Sequence, residues 1–225
     1  MCGRFTLTPE LKVLAERFSV SPTPTADYNP RYNIAPTQPV IVIGSDGQRS
    51  MKTMKWGLIP SWAKDPNIGN RMINARAETI AEKPSFRDAL QKRRCLIPAD
   101  GFYEWQKLGK VKQPVRIVLK TREPFGLAGL WDSWTSPAQE KVLSCTIITT
   151  AANELLSEVH DRMPVILNRD VEDRWLDPKV NDPTVLLGML KPYPSELMEY
   201  YNVSKDVSSP SHDGADCIVP VTTMG

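Results

Sequence analysis

The sequence has 225 residues, 41% of them hydrophobic and 24% charged, which suits one large domain or two small ones with a sizeable core. Lys and Arg number 28 against 26 Asp and Glu, a net charge of +2, so a strongly basic coat is excluded and anion binding must come from a local patch. No apolar run approaches the roughly 20 residues that cross a bilayer, and the first residues carry no basic-then-apolar segment, so a cytoplasmic, membrane-free protein is expected.

The predicted elements follow in chain order. Thr8-Pro9 reads as a helix start, with Thr as N-cap and Pro in the first turn. Leu11, Leu14, Ala15 and Phe18 then recur at helical spacing. Ser21 to Pro30 is a proline-rich loop. Val40 to Ile43 is a strand, Ser45 to Gln48 an Asp-Gly turn, and Ser50 to Trp56 the returning strand. Gly57 to Arg71 is irregular. Ser85 to Arg93 reads as a short helix. Strands are expected at Arg94 to Ile97, Phe102 to Gln106, Val115 to Leu119, Phe125 to Leu130 and Val142 to Thr149, with a hairpin turn at Leu108-Gly109. Asn153 to Val159, Val171 to Leu176 and Thr184 to Leu190 are short helices, and the last stretch, 203–225, is expected to be loosely held. The pattern lacks βαβ regularity and reads as one β-rich α+β domain with long loops. Trp56, Trp131 and Trp175 are expected in the core.

Cys2, Cys95, Cys145 and Cys217 have no CxxC spacing, and His160 and His212 are the two histidines, so four free thiols and no metal site are expected. His212 reads as exposed and inert. The position of Cys2 is the unusual feature. Aminopeptidases remove Met1 before a small residue, which would leave Cys2 with a free α-amine beside its thiol. These groups titrate near about 8 and 8.5 and are both partly available at neutral pH. Such a 1,2-aminothiol condenses with an aldehyde and closes to a thiazolidine, which an internal cysteine cannot do. The competing reading is a small buried residue after an initiator methionine.

Other side chains carry paired readings. Glu104, between Tyr103 and Trp105, is either a desolvated acid/base or an exposed, ion-paired strand residue. His160 is either an acid/base group or the cap of a short helix. Asn74 is either a substrate-orienting amide or the end of a surface strand. Arg4, Arg71, Arg76 and Arg162 are candidate phosphate contacts and Trp62 a candidate stacking surface, a combination suited to single-stranded nucleic acid.

Six motifs stand in order: Met1-Cys2-Gly3-Arg4-Phe5, Arg31-Tyr32-Asn33-Ile34-Ala35-Pro36, Trp56 to Trp62, Asn74-Ala75-Arg76-Ala77-Glu78-Thr79, Cys95 to Trp105, and His160-Asp161-Arg162-Met163-Pro164. Together they resemble the SOS-response-associated peptidase family, also called the abasic-site processing proteins. The resemblance runs from Cys2 to about Leu176, and departs near the C-terminus, where Ser208 stands in place of a frequent asparagine. It implies a single α+β domain with a barrel-like mixed sheet and flanking short helices. It also implies a single-stranded DNA groove and a thiazolidine crosslink between Cys2 and the aldehyde of an abasic site. Glu104 and His160 would be the acid/base pair and Asn74 would hold the sugar or amine. Arg4, Arg76 and Arg162 would touch phosphates, and Asn33 and Pro36 would shape the groove. No cofactor is implied, and a monomer is expected. Two other readings use the same residues: a cysteine peptidase with an N-terminal nucleophile, and a non-catalytic single-strand binding module.

Overall fold

The computed structural model describes residues 2–21, 28–45 and 48–222. The elements are β1 (Phe5–Leu7), α1 (Leu11–Phe18), β2 (Arg31–Ile34), β3 (Pro39–Ser45), β4 (Arg49–Trp56), β5 (Asn74–Arg76), α2 (Arg87–Lys92), β6 (Arg94–Ala99), β7 (Gly101–Leu108), β8 (Val111–Leu119), β9 (Phe125–Thr135), β10 (Lys141–Ala151), α3 (Glu154–Ser157), β11 (Arg162–Pro164), β12 (Ile166–Leu167), α4 (Arg169–Leu176), α5 (Pro183–Gly188) and β13 (Met198–Asn202). Short 3-10 turns fill several of the connections, including 66–71 and 205–208.

Five strands close on themselves. β4 pairs with β3, β3 with β6, β6 with β9 and β9 with β10, all antiparallel. β10 then returns to β4 in parallel, with Cys145 opposite Trp56. Closure explains the sequence of these strands: Val40, Ile41, Val42 and Ile43 are all buried, because both faces of β3 are covered. A second, antiparallel sheet runs β13-β8-β7-β1-β2. It shares the core with the barrel, and the Phe5 ring on β1 meets Trp56 edge-on at 5.2 Å. The fold is thus a single α+β domain with a mixed barrel and short flanking helices, as the family resemblance implied.

β10 organises one end of the barrel. β5 lies parallel along one side, with Ile147 opposite Asn74 and Thr149 opposite Arg76. β11 lies antiparallel on the other, with Ala151 opposite Arg162. The loop entering β5 is pressed onto the barrel at Gly57, whose φ of +131° and position against the Gly69 carbonyl leave no room for a side chain. The Trp56 indole then donates to the Ile73 carbonyl at 2.8 Å and fixes the residue before Asn74.

Several expectations need correction. Thr8 does not cap α1: the helix begins at Leu11, and Thr8 donates instead to the buried Asp100 carboxylate, which competes for its hydroxyl. Trp131 is half-buried rather than core, with the Lys52 ammonium 6.0 Å from its ring centroid. Residues 46 and 47 of the expected Asp-Gly turn lie outside the described residues; at the other hairpin, Gly109 has the positive φ of +62° that its turn needs. The last segment is not loose through residue 222. Val203, Val207 and Cys217 are fully buried beneath Tyr103, and β2 holds the intervening backbone. Among the described residues, no helix is long and apolar enough to cross a membrane.

Candidate active site

Strand register brings the N-terminus to Glu104. β1 pairs antiparallel with β7, Phe5 opposite Phe102, and the Tyr103 amide donates to the Arg4 carbonyl at 3.0 Å. Continued toward the N-terminus, this register sets Gly3 across from Glu104 and Cys2 one residue further on. A buried polar cluster locks this register. Thr6 donates to Asp100 at 2.7 Å, and the Arg116 guanidinium lies 3.1 Å from the same carboxylate.

Alternation along β7 decides the environment of Glu104. Phe102 and Glu104 face the main core, whereas Tyr103 and Trp105 face the C-terminal segment. The expected packing of Glu104 against Tyr103 and Trp105 is therefore wrong, although its desolvation is right. The residue is 5% exposed, and burial raises its carboxyl above the usual range despite the opposing charge of His160. Cys2 is fully buried beside it. Burial, and next the Glu104 carboxylate, push the thiol well above its usual range.

Asn74 joins the same cluster from β5. Its Nδ2 donates to the Cys2 carbonyl at 2.9 Å, and its Oδ1 is a buried acceptor with no partner among the described residues. It is not an exposed strand end. His160 follows α3 but does not cap it; Glu158 does. Its Nδ1 lies 3.0 Å from the Arg162 amide and 2.8 Å from the Asp161 carboxylate. One ring nitrogen cannot accept from the first and donate to the second at once. An unprotonated Nδ1 accepts from the amide, and a protonated Nδ1 donates to Asp161.

The expected DNA contacts divide into two groups. Arg4, Asn33 and Arg162 are engaged inside the protein. Arg4 donates to Asn33 Oδ1 at 2.9 Å, to the Val207 carbonyl at 2.7 Å and to the Ser208 carbonyl at 3.0 Å. Asn33, expected to shape a groove, is fully buried and donates to the carbonyls of Val207, Ser209 and His212. Arg162 forks onto Glu78 at 2.8 and 3.0 Å. The second group is at the surface. Trp62 is 57% exposed and lines a shallow cleft of about 340 Å³ with Arg71. Arg76 is exposed on β5. Pro36 opens a turn in which Thr37 takes a φ of +72°, an unusual strain for a β-branched residue.

Comparison with known proteins follows from this geometry. A family model described as SOS response associated peptidase (SRAP) matches residues 1–210. The chain belongs to the SRAP family. It is 49% identical over 221 residues to the abasic site processing protein YoqW of Bacillus subtilis (strain 168), covering 97% of this chain and 99% of that one. It is 31% identical over 227 residues to the abasic site processing protein HMCES of Gallus gallus, covering 86% and 67%. A crystal structure of a protein from Bacteroides thetaiotaomicron superposes with a TM-score of 0.90 at 28% identity, covering 98% of this chain and all of that one.

The SRAP match passes well beyond Leu176, in keeping with the docked C-terminal segment. Sequence reasoning missed three contributors. Asp213 accepts from the Tyr32 and Asn33 amides at 2.6 and 2.7 Å and pairs with Arg31. Ser208 accepts from the Trp105 indole at 3.1 Å, so this departure from the family pattern still ties the C-terminal segment to β7. Glu78 lay inside a quoted motif, and the signal was an acid set between two candidate phosphate arginines.

Proposed function

We propose that the chain recognises abasic sites in single-stranded DNA and joins the exposed aldehyde to Cys2 as a thiazolidine. The single observation that carries this reading is the convergence of Cys2, Asn74, Glu104 and His160 at one end of the barrel. With Met1 attached, the Cys2 nitrogen is an amide and no nucleophile, so loss of Met1 is the activating step.

The free Cys2 amine attacks the aldehyde carbon and gives a carbinolamine. Protonated Glu104 supplies the proton that leaves with the hydroxyl as water, and an iminium forms. The Cys2 sulfur then adds to the same carbon while Glu104 takes back the thiol proton. One C–N bond and one C–S bond form and one water leaves. Burial raises the carboxyl of Glu104, the direction that suits both transfers. Asn74, through the Cys2 carbonyl, aligns the residue, and its unpartnered Oδ1 is an acceptor for the amine or a sugar hydroxyl. His160, beside Glu104, is the second acid/base group of the cluster.

The peptidase reading fares worse on the same residues. A cysteine hydrolase needs a thiolate, and here burial and a neighbouring carboxylate oppose one. The addition to an iminium tolerates a neutral thiol that loses its proton as it reacts.

The test is a denaturing gel of the Met1-free protein with a single-stranded oligonucleotide bearing one abasic site. The wild type should shift the strand, and Cys2→Ala should not while still binding it. A shifted band in Cys2→Ala overturns the reading.

A further inference from the structure

Arg162 holds five N–H groups, and the fold has already committed most of them. Glu78 spans Nη1 and Nη2 at 2.8 and 3.0 Å. Thr149 takes Nη2 through its carbonyl at 2.7 Å and its hydroxyl at 3.2 Å. Nε is buried without a hydrogen-bond partner among the described residues. A phosphate cannot take the guanidinium fork while Glu78 is on it.

The two partners of Arg162 differ in how easily they leave. The Thr149 carbonyl belongs to β10 and is fixed between β5 and β11. Glu78 sits in the short 3-10 turn Ala77–Thr79, and its side chain is 49% exposed against 14% for Arg162. Glu78 can therefore swing into water while Thr149 keeps the guanidinium in place. The hydrogen bonds from Arg162 hold the Glu78 carboxyl below its usual range, so it is charged throughout neutral pH. A carboxylate on this fork has the charge sign and the bidentate geometry of a phosphate. Exposed Arg76, opposite Thr149, flanks it.

From this geometry we propose that Glu78 is a specificity-determining residue, an internal carboxylate that occupies the Arg162 fork until a strand phosphate displaces it. This rests on single-stranded abasic DNA being the ligand. Displacing Glu78 offsets part of the phosphate contact, so an undamaged strand is released readily. A strand joined to Cys2 stays whatever the ionic hold.

The experiment measures binding of an unmodified single-stranded oligonucleotide by fluorescence anisotropy across a salt series. Wild type, Glu78→Gln, Arg162→Ala and the double variant are compared, with the abasic crosslinking gel run in parallel. Glu78→Gln should bind severalfold more tightly, with a salt slope near that of the wild type, because the phosphate reaches Arg162 in both complexes. The gain should vanish when Arg162 is also removed. Should the Gln variant fail to fold, Glu78→Ala removes the same carboxylate and gives the same reading. Unchanged or weaker binding, or a gain that survives loss of Arg162, overturns the exchange. If the wild type crosslinks and Glu78→Gln shows no gain, the exchange falls and the crosslinking reading stands. A wild type with neither affinity nor crosslink overturns both.

Discussion

The floor of the site and its rim are built on opposite principles. On the floor, Cys2 and Glu104 are withdrawn from water, and half-buried Asn74 is tied to Cys2 by a hydrogen bond. On what we propose as its rim, Trp62, Arg71 and Arg76 stand exposed. Burial makes the floor a place where protonation is perturbed and geometry is fixed, which suits bond formation. Exposure makes the rim a place where charge is screened and side chains adapt, which suits reversible binding. Arg4, Asn33 and Arg162 had been grouped with the rim, yet their bonding puts Arg4 and Asn33 with the floor and Arg162 between the two.

The sharpest way to break this division is Glu104→Gln. It should slow crosslinking by about 10²–10⁴-fold, the usual worth of a positioned acid/base group, while strand affinity stays near wild type. Equal losses of rate and affinity would return Glu104 to the rim. The same variant has a stability signature. Because burial raises the Glu104 carboxyl, the folded chain holds that proton more tightly than the unfolded chain. Stability from this group is then full below the ordinary carboxylate range and falls as pH rises through the raised value. Glu104→Gln should therefore lose less stability than wild type as pH is raised over that window, measured by denaturant unfolding.

Asn33→Ala comes next. It removes one donor from the carbonyls of Val207, Ser209 and His212 and one acceptor from Arg4, at a cost of about 1–3 kcal/mol. Hydrogen exchange over 203–213 should quicken, and crosslinking should fall more than strand affinity. The reverse order would mean that Asn33 touches DNA. The smallest effect separates the two kinds of rim residue. Arg76→Ala should lower the slope of log affinity against log salt by about 0.7. Trp62→Ala should weaken binding without altering that slope, since stacking releases no counterions.

The barrel was legible because its strands are long and enclosed. Val40 to Ile43 is an unbroken β-branched run and Val142 to Thr149 is rich in Val, Ile and Thr, and the structure extends each by a residue or more at either end. β1, β2, β5, β11, β12 and β13 were not read, since segments of two to five residues such as Asn74–Arg76 carry too little periodicity. They form because longer neighbours offer a paired edge, which no local pattern reveals. The C-terminal segment misled for a related reason. Its polar composition suggests solvent, but its carbonyls are captured by Arg4 and Asn33 from the far end of the chain. Cys2, Asn74, Glu104 and His160 were legible as motif residues, while the alternation that puts Glu104 away from Tyr103 and Trp105 needed the register of β7. Glu78 was visible as a residue but not as a partner, because its role depends on β10 bringing β5 and β11 together.

The most direct test of the central claim is the intact mass of the DNA adduct, taken with and without prior borohydride treatment. The account predicts a mass equal to the Met1-free chain plus the abasic strand less one water, unchanged by borohydride because the ring holds no C=N bond. An adduct that gains two hydrogens on reduction, or one formed equally by a chain retaining Met1, would contradict it.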